Sequence, residues 1–354
     1  MGYDIRDFLV DFTSEEEIIN NLRKKLCEYF NCQHSILVTN GTSAIEIVLK
    51  SLQLPRGAGV IVPDISFIAT ATSVANCGLL PVYCDIDTNH FGMSINSLKQ
   101  IYNDQIKAVI LVHFGGFVNR DIFEIKEFCK EKGIFLIEDC AQAFGCTIDN
   151  KRVGTIGDAG TFSFQSSKIV NSGEGGLIVT NSADLAGMCE AISNWGISFN
   201  RSKRNVNIPS SNYRMSSIQC YFIMKQMNII SEIMEERLSK YHKMSKDFQS
   251  HGINVVVPKE EKDIFEYPFF LPIESTNKIN TIEPRMETPM RKSSIVKSIL
   301  KTFYPDLFCK YKELNAKQRY ISFNSDLVIN KIDFINISNV NEDDISCVIK
   351  QYIG

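Results

Sequence analysis

AGTFSFQSSKIVNSGEGGLIVT, residues 159–180, holds two short apolar runs, AGTFSF and GGLIVT, joined by a polar turn. The turn carries one lysine, Lys168, with Ser163, Ser166 and Ser167 just before it and GEGG just after it. Two β-branched runs around a glycine-containing turn read as two strands. A single lysine in a turn is ordinarily a solvated surface group. What the neighbouring runs build decides whether that holds for Lys168.

Working towards the N-terminus, five more runs of the same kind appear: SILV (35–38), GVIVP (59–63), LLPVYC (79–84), AVILVHF (108–114) and GIFLIED (133–139). Each is nearly continuous in apolar character, as strands buried on both faces must be. The stretches between them have helical periodicity. In TSAIEIVLKSL (42–52), Ala44, Ile45, Val48, Leu49 and Leu52 share one face, and FEIKEFCKEKG (123–133) ends on lysines and a glycine stop. A further helix is expected over EEEIINNLRKKLCEYF, opened by Ser14 and Glu17 at capping-box spacing. This alternation predicts an α/β fold, a mostly parallel sheet with helices on both faces. After a long helical stretch at about 213–250 the pattern changes to isolated strand-like runs, INVVVP (253–258), YPFFLPI (267–273) and IDFINI (332–337), with a last helix near 342–352. The expected division is a large domain over 1–229 and a smaller α+β C-terminal domain over 230–354.

The 354 residues are 44% hydrophobic and 22% charged, with a net charge of −3. That balance argues against a nucleic-acid binder held by phosphate neutralisation. No apolar run reaches the ~18 residues of a membrane span, and the acidic start MGYDIRDFLVDF lacks the pattern of a signal peptide, so a cytoplasmic protein is expected. Eleven cysteines and five histidines are scattered without C-x-x-C or ligand spacing, which points to reduced core cysteines and no metal site.

In open α/β sheets ligands gather at the C-terminal ends of the strands. SILV ends in TNGTSA, where Gly41 permits a tight turn and Thr42 and Ser43 offer hydroxyls and backbone N–H groups to an anion at a helix start. Simple helix capping accounts for the same residues. Neither a Walker loop nor a dinucleotide fingerprint is present. GIFLIED ends in Glu138 and Asp139, followed by Gln142. A carboxylate there can bind an ion, pair with a base or cap the next turn, and one facing a protonated ring nitrogen stays ionised. In DISFIAT (64–70), Phe67 is either core or a plate for a flat ligand. Phosphate cradle, aromatic plate, carboxylate and lysine on successive strand ends are together what pyridoxal 5'-phosphate (PLP) requires.

The chain resembles the sugar-nucleotide aminotransferases, the DegT/StrS-like branch of the fold-type I PLP enzymes. The resemblance runs from about residue 34 to 228 through TNGTSAIEIVL, VIVPDISFIATATSVANCGLLPVYCDID, VHFGGFVNRDIFEIKEFCKEKGIFLIEDCAQAFGC, VGTIGDAGTFSFQSSKIVNSGEGGLIVTN and SNYRMSSIQCYFIMKQM. It implies a three-layer α/β/α PLP-transferase large domain. It also implies Lys168 as the Schiff-base lysine, Asp139 as the partner of the pyridine nitrogen, Gln142 near the ring hydroxyl, Phe67 stacked on the ring, and Thr42, Ser43 and Ser163 at the phosphate. Asn212 of SNYRM matches an asparagine that reaches the phosphate of a neighbouring subunit, which implies a homodimer with shared sites. Related dehydratases carry histidine at the lysine position; lysine here implies amino transfer.

The chain departs from the family pattern in its substrate-facing parts. MGYDIRDFLVDF has no Gly-Trp or Gly-Pro region, and TIEPRMETPMRKSS has no His-Tyr pair. The expected reaction is transfer of an amino group, with L-glutamate as donor, to a keto-sugar nucleotide in surface-polysaccharide or sugar biosynthesis. The alternatives are transfer to a smaller phosphorylated ketone and a regulatory paralogue without turnover. SFNRSKRNVNIPSS (198–211) reads as a basic loop in a net acidic chain, and its Arg201, Lys203 and Arg204 are expected to hold an anionic acceptor.

Overall fold

The computed structural model describes residues 14–200, 203–206, 208–256, 258, 261–274, 294–315 and 332–339, with Ile345 and Ile349. MGYDIRDFLVDF (1–12), residues 281–293 of TIEPRMETPMRKSS, Arg201, and most of the helix expected near 342–352 lie outside these residues.

In chain order the elements are α1 (Glu15–Phe30), β1 (His34–Val38), α2 (Gly41–Ser51), β2 (Gly59–Pro63), α3 (Ala69–Asn76), β3 (Leu80–Cys84), α4 (Ile95–Ile101) and β4 (Ile106–Val112). Then come α5 (Ile122–Lys132), β5 (Phe135–Asp139), the short β6 (Thr147–Ile148) and β7 (Lys151–Arg152), β8 (Ala159–Ser163), β9 (Gly176–Thr180) and α6 (Ala183–Ser193). The remainder comprises β10 (Ile197–Asn200), β11 (Lys203–Val206), α7 (Ser217–Asn228), α8 (Ile230–Ser250), β12 (Ile264–Phe265), β13 (Phe270–Glu274), α9 (Ser294–Phe303), α10 (Pro305–Leu314) and β14 (Ile332–Asn336).

All seven expected runs become strands of one seven-stranded sheet, ordered β1-β9-β8-β5-β4-β2-β3. Only β9 is antiparallel to its neighbours, so the sheet is mostly parallel, as expected. One face is covered by α1, α4, α5 and α7 through residues such as Leu22, Leu98, Ile125 and Ile223. The other carries α2, α3 and α6, with Val48, Val74 and Ile192. Late in the chain, α9 and α10 return to this second face and bury Val296, Leu300, Leu307 and Tyr311 there, and an Arg56–Asp306 pair at 2.7 Å fastens the edge. A separate core forms where Tyr241, Met244 and Phe248 of α8 meet Leu271 and Ile273 of β13 and Ile335 of β14. Ile345 and Ile349 are buried in it.

Local chemistry explains the boundaries. Ser14 accepts from the N–H of Glu17 at 3.1 Å, which starts α1, and Gly133, with φ of 62°, ends α5. The long helical stretch is two helices that break at Ile229, although no glycine or proline marks the place. INVVVP yields a single bridge, Val255 to Ile273, instead of a strand. Its partner strand has Pro272 at the centre, which lacks the N–H a longer ladder needs. Among the described residues no helix is long and apolar enough to cross a membrane.

Candidate active site

A cavity of about 750 Å³ opens at the C-terminal ends of β1, β2, β5 and β8. Gly41, Thr42, Phe67, Asp139, Gln142, Ser163 and Lys168 all line it, although they span more than a hundred residues of sequence. Ser43 is not among the lining residues, and Asn212, expected at the phosphate of a neighbouring subunit, lies outside this cavity of its own chain.

The anion end is the start of α2. Asn40 caps the helix by accepting from the N–H of Ser43 at 2.8 Å, and the Ser43 hydroxyl accepts from Thr39 at 3.2 Å. The expected open N–H at Ser43 is therefore engaged by the cap. The N–H groups of Gly41 and Thr42, in the first turn, have no intrahelical partner and lie at the cavity. Gly41 serves close approach rather than a left-handed turn. A Cβ there would stand 2.9 Å from Cβ of Ser163, and Gly41 is not among the positive-φ glycines.

Asp139, which closes β5 and is 5% exposed, also lines the cavity. Its Oδ2 accepts from the Thr70 hydroxyl at 3.0 Å and its Oδ1 from the N–H of Ala141 at 3.2 Å. Since Thr70 donates to Asp139, Ser66 donates to Thr70, at 2.8 Å, and the two hydroxyls form a short chain ending on the carboxylate. Burial raises the Asp139 pKa above the usual carboxylate range; the Ala141 N–H, the Thr70 hydroxyl and the charge of Lys168 pull it back down. Thr70 and Ser66 escaped the sequence reading, although both lie inside DISFIAT.

Glu138, one residue before, is a different kind of group. It is fully buried, and its oxygens accept from the N–H groups of Gly154, Ile156 and Gly157 and pair with His113 Nε2 at 3.1 Å. His113 Nδ1 accepts from the N–H of Asn119, which leaves the proton on Nε2 to be donated to Glu138. His113, Glu138 and Cys140 converge closely enough to resemble a metal site. The four donors fill the carboxylate's acceptor positions, so the convergence is a packing device that ties β4 and β5 to the 154–157 loop.

Lys168 sits in a tight turn. Its N–H donates to the Gln165 carbonyl at 2.8 Å, while the Gln165 side chain accepts from the N–H and hydroxyl of Ser167. Nζ lies 4.3 Å from the centroid of the Phe269 ring, at the N-terminal edge of β13. Phe269 is 3% exposed and belongs to an aromatic cluster with Phe114, Phe270 and Phe334. Gln142 is oriented by the N–H of Gly115, which donates to its Oε1 at 2.6 Å and leaves the amide NH2 as a donor. Phe67 is 39% exposed on the cavity rim just before α3.

Asn212 is exposed and lies outside this cavity. It bridges to Asn194 and accepts from the N–H of Arg214, beside a partly exposed Trp195 whose ring is covered by the Arg214 guanidinium at 4.0 Å. In the segment expected as a loop, 198–211, the described residues include two short antiparallel strands, β10 and β11, with Phe199 opposite Arg204 and Asn200 opposite Lys203. A second cavity, of about 650 Å³, lies beside this region between α1, β1 and α6. It contains neither the lysine nor Asp139.

The residues present fit PLP. Helix N–H groups with a space that a Cβ would fill suit a phosphate, a buried carboxylate suits a protonated ring nitrogen, and a primary amine lines the same cavity. The chain is 29% identical to a GDP-perosamine synthase of Vibrio cholerae, over 83% of this chain and 88% of that one. It is 33% identical to a GDP-perosamine synthase of Escherichia coli O157:H7, over 72% and 68%. Among solved structures, an aminotransferase from Brucella abortus superposes with a TM-score of 0.79 at 22% identity, covering 99% of this chain and 93% of that one, which bears on the fold alone. Residues 11–322 match the DegT/DnrJ/EryC1/StrS aminotransferase family. The chain belongs to that family and is a PLP-dependent aminotransferase.

Proposed function

We propose that the enzyme moves an amino group from L-glutamate to the keto group of a nucleotide-linked sugar, with Lys168 as the residue that bonds the cofactor. The observation that carries this reading is the meeting of Lys168, Asp139 and the open end of α2 in one cavity. The acceptor class follows the relatives, which are named as GDP-perosamine synthases and as a dTDP-4-dehydro-2,3,6-trideoxy-D-glucose 4-aminotransferase of Saccharopolyspora spinosa.

When bound, PLP supplies an electron sink for carbon–hydrogen cleavage next to nitrogen. The chain supplies the rest. Gly41 and Thr42 hold the phosphate with Ser163, and Phe67 covers one face of the ring. Asp139 keeps the ring nitrogen protonated, and the Thr70 hydroxyl steadies the carboxylate for that task. The Gln142 amide donates to the ring hydroxyl. The Lys168 amine would take the α-proton of the donor and give it back, as a general base and then acid.

The same proposal places Asn212 at the phosphate of a second copy, which makes the working unit a homodimer, and Arg201, Lys203 and Arg204 of the 198–211 segment beside the acceptor. It retains the domain boundary at 229/230, a cytoplasmic setting and a role in polysaccharide or sugar biosynthesis. Incubation with L-glutamate should bleach the visible band of the bound cofactor, and a 4-keto nucleotide sugar should restore it. If the band returns with a small phosphorylated ketone and not with the nucleotide sugar, the smaller acceptor is correct. A band that no donor bleaches points to the non-catalytic paralogue.

A further inference from the structure

Arg237, in the middle of α8, is 9% exposed, and among the described residues no carboxylate lies within ion-pair distance of it. A guanidinium taken out of water without a counter-ion is costly and is retained only where its donors are satisfied. Here they are spread over three places. Nε donates to the Pro268 carbonyl at 3.0 Å and Nη2 to the Phe269 carbonyl at 3.1 Å. Nη1 donates to the Ser338 hydroxyl at 2.6 Å, and that hydroxyl donates in turn to the Ser167 carbonyl at 2.7 Å. The Ser167 carbonyl belongs to the peptide that leads into Lys168. Phe269 is the ring beneath Lys168 Nζ, and the Arg237 guanidinium lies 5.5 Å from the same ring. One buried cation thus holds both the backbone before the lysine and the aromatic surface on which its amine rests. The far side of the turn is held separately, by Gln226, which bonds both backbone groups of Asn171.

We propose that Arg237, acting through Ser338 and Phe269, is a positioning residue that fixes the Lys168 turn so that its amine is presented to the cofactor aldehyde. The inference rests on Lys168 being the cofactor-bonding residue. Binding of the cofactor by its phosphate and ring does not need this clamp, because Gly41, Thr42, Asp139 and Phe67 come from other elements. The clamp should therefore act on bond formation and leave non-covalent affinity alone.

The test compares wild type with Ser338→Ala, which removes only the relay, and with Arg237→Gln and Arg237→Lys. Apo protein is mixed with PLP, quenched with borohydride over time, and labelled peptides are quantified. Affinity for pyridoxamine phosphate, which has no aldehyde to bond, is measured in parallel. Losing a hydrogen bond to a charged donor corresponds to about a tenfold effect, so labelling of Lys168 in Ser338→Ala and Arg237→Gln should slow about tenfold with pyridoxamine phosphate affinity unchanged. Arg237→Lys should recover part of the rate. Labelling at the wild-type rate, or equal losses of rate and affinity, overturns the positioning role. Label on a different lysine in wild type overturns instead the reading of Lys168 on which it rests.

Discussion

The Thr70 hydroxyl donates to Asp139 Oδ2 at 3.0 Å, from a helix that starts beside the cavity-rim phenylalanine Phe67. The rim phenylalanine and the carboxylate's hydrogen-bond donor therefore come from neighbouring positions of one segment. Thr70→Val keeps the shape and deletes the donor. It should lower kcat about tenfold, the scale of one hydrogen bond to a charged group, with little change in cofactor affinity. Steady-state kinetics beside a cofactor titration check this. An unchanged kcat would show that Asp139 needs no such support.

Asp139 itself should trade stability against function. Burial raises its pKa in the folded chain above the unfolded value. A carboxyl shifted in that direction binds its proton more tightly when folded, so stability falls as pH rises from the unfolded pKa through the folded one. At neutral pH the cofactor-free protein carries this penalty. Asp139→Asn should raise the Tm of the apo protein at neutral pH and flatten its dependence on acid pH, while turnover falls by orders of magnitude. A thermal melt across pH, with and without PLP, reads both effects; a lower apo Tm for the variant contradicts the assignment.

Glu138 should answer oppositely to its neighbour. Its four donors require acceptors on both oxygens. Glu138→Gln turns an amide NH2 towards at least one backbone N–H, and leaving a buried donor unsatisfied costs about 1–3 kcal/mol. Chemical unfolding should show that loss, and near-wild-type stability would mean the network is dispensable.

Gly41→Ala tests the phosphate cradle. Its Cβ must force Ser163 aside from 2.9 Å, so PLP affinity should drop about tenfold or more, one such step being ~1.4 kcal/mol. The fold should survive, because Gly41 does not need a left-handed backbone. Equilibrium binding followed by fluorescence, with circular dichroism as control, distinguishes the two.

Asn212 and the basic 198–211 segment carry the two-subunit part of the proposal. Mixing Lys168→Ala with Asn212→Ala chains should restore one working site per heterodimer, provided each variant is impaired by itself. Arg201→Ala with Arg204→Ala should raise KM for the acceptor, leave the L-glutamate half-reaction nearly unchanged, and lose its effect in high salt. Absence of complementation in verified heterodimers, or equal damage to both half-reactions, contradicts the corresponding assignment.

The sheet was readable because its strands are buried on both faces, so each appears as an unbroken apolar run whatever its neighbours are. The break at Ile229 was not, because no residue there forbids helix and only packing decides it. Within the cavity, Lys168, Asp139 and Gly41 could be placed because each lies at or just past a strand end and strand ends converge. Arg237 looks in the sequence like one more surface charge in MEERLSKYHK, and Phe269 like one more core aromatic. Their roles depend on contacts 31 to 101 residues apart in the chain, and no local pattern encodes such contacts. Ser43 shows a related ambiguity, since a cap and an anion contact use the same N–H and here it donates to Asn40.

The account turns on Lys168. Reduction of the PLP-loaded enzyme with borohydride, followed by proteolysis and mass spectrometry, should place the reduced cofactor on the peptide that contains Lys168 and on no other, and Lys168→Ala should carry none. Cofactor fixed to a different lysine, or fixed equally well in Lys168→Ala, would contradict it.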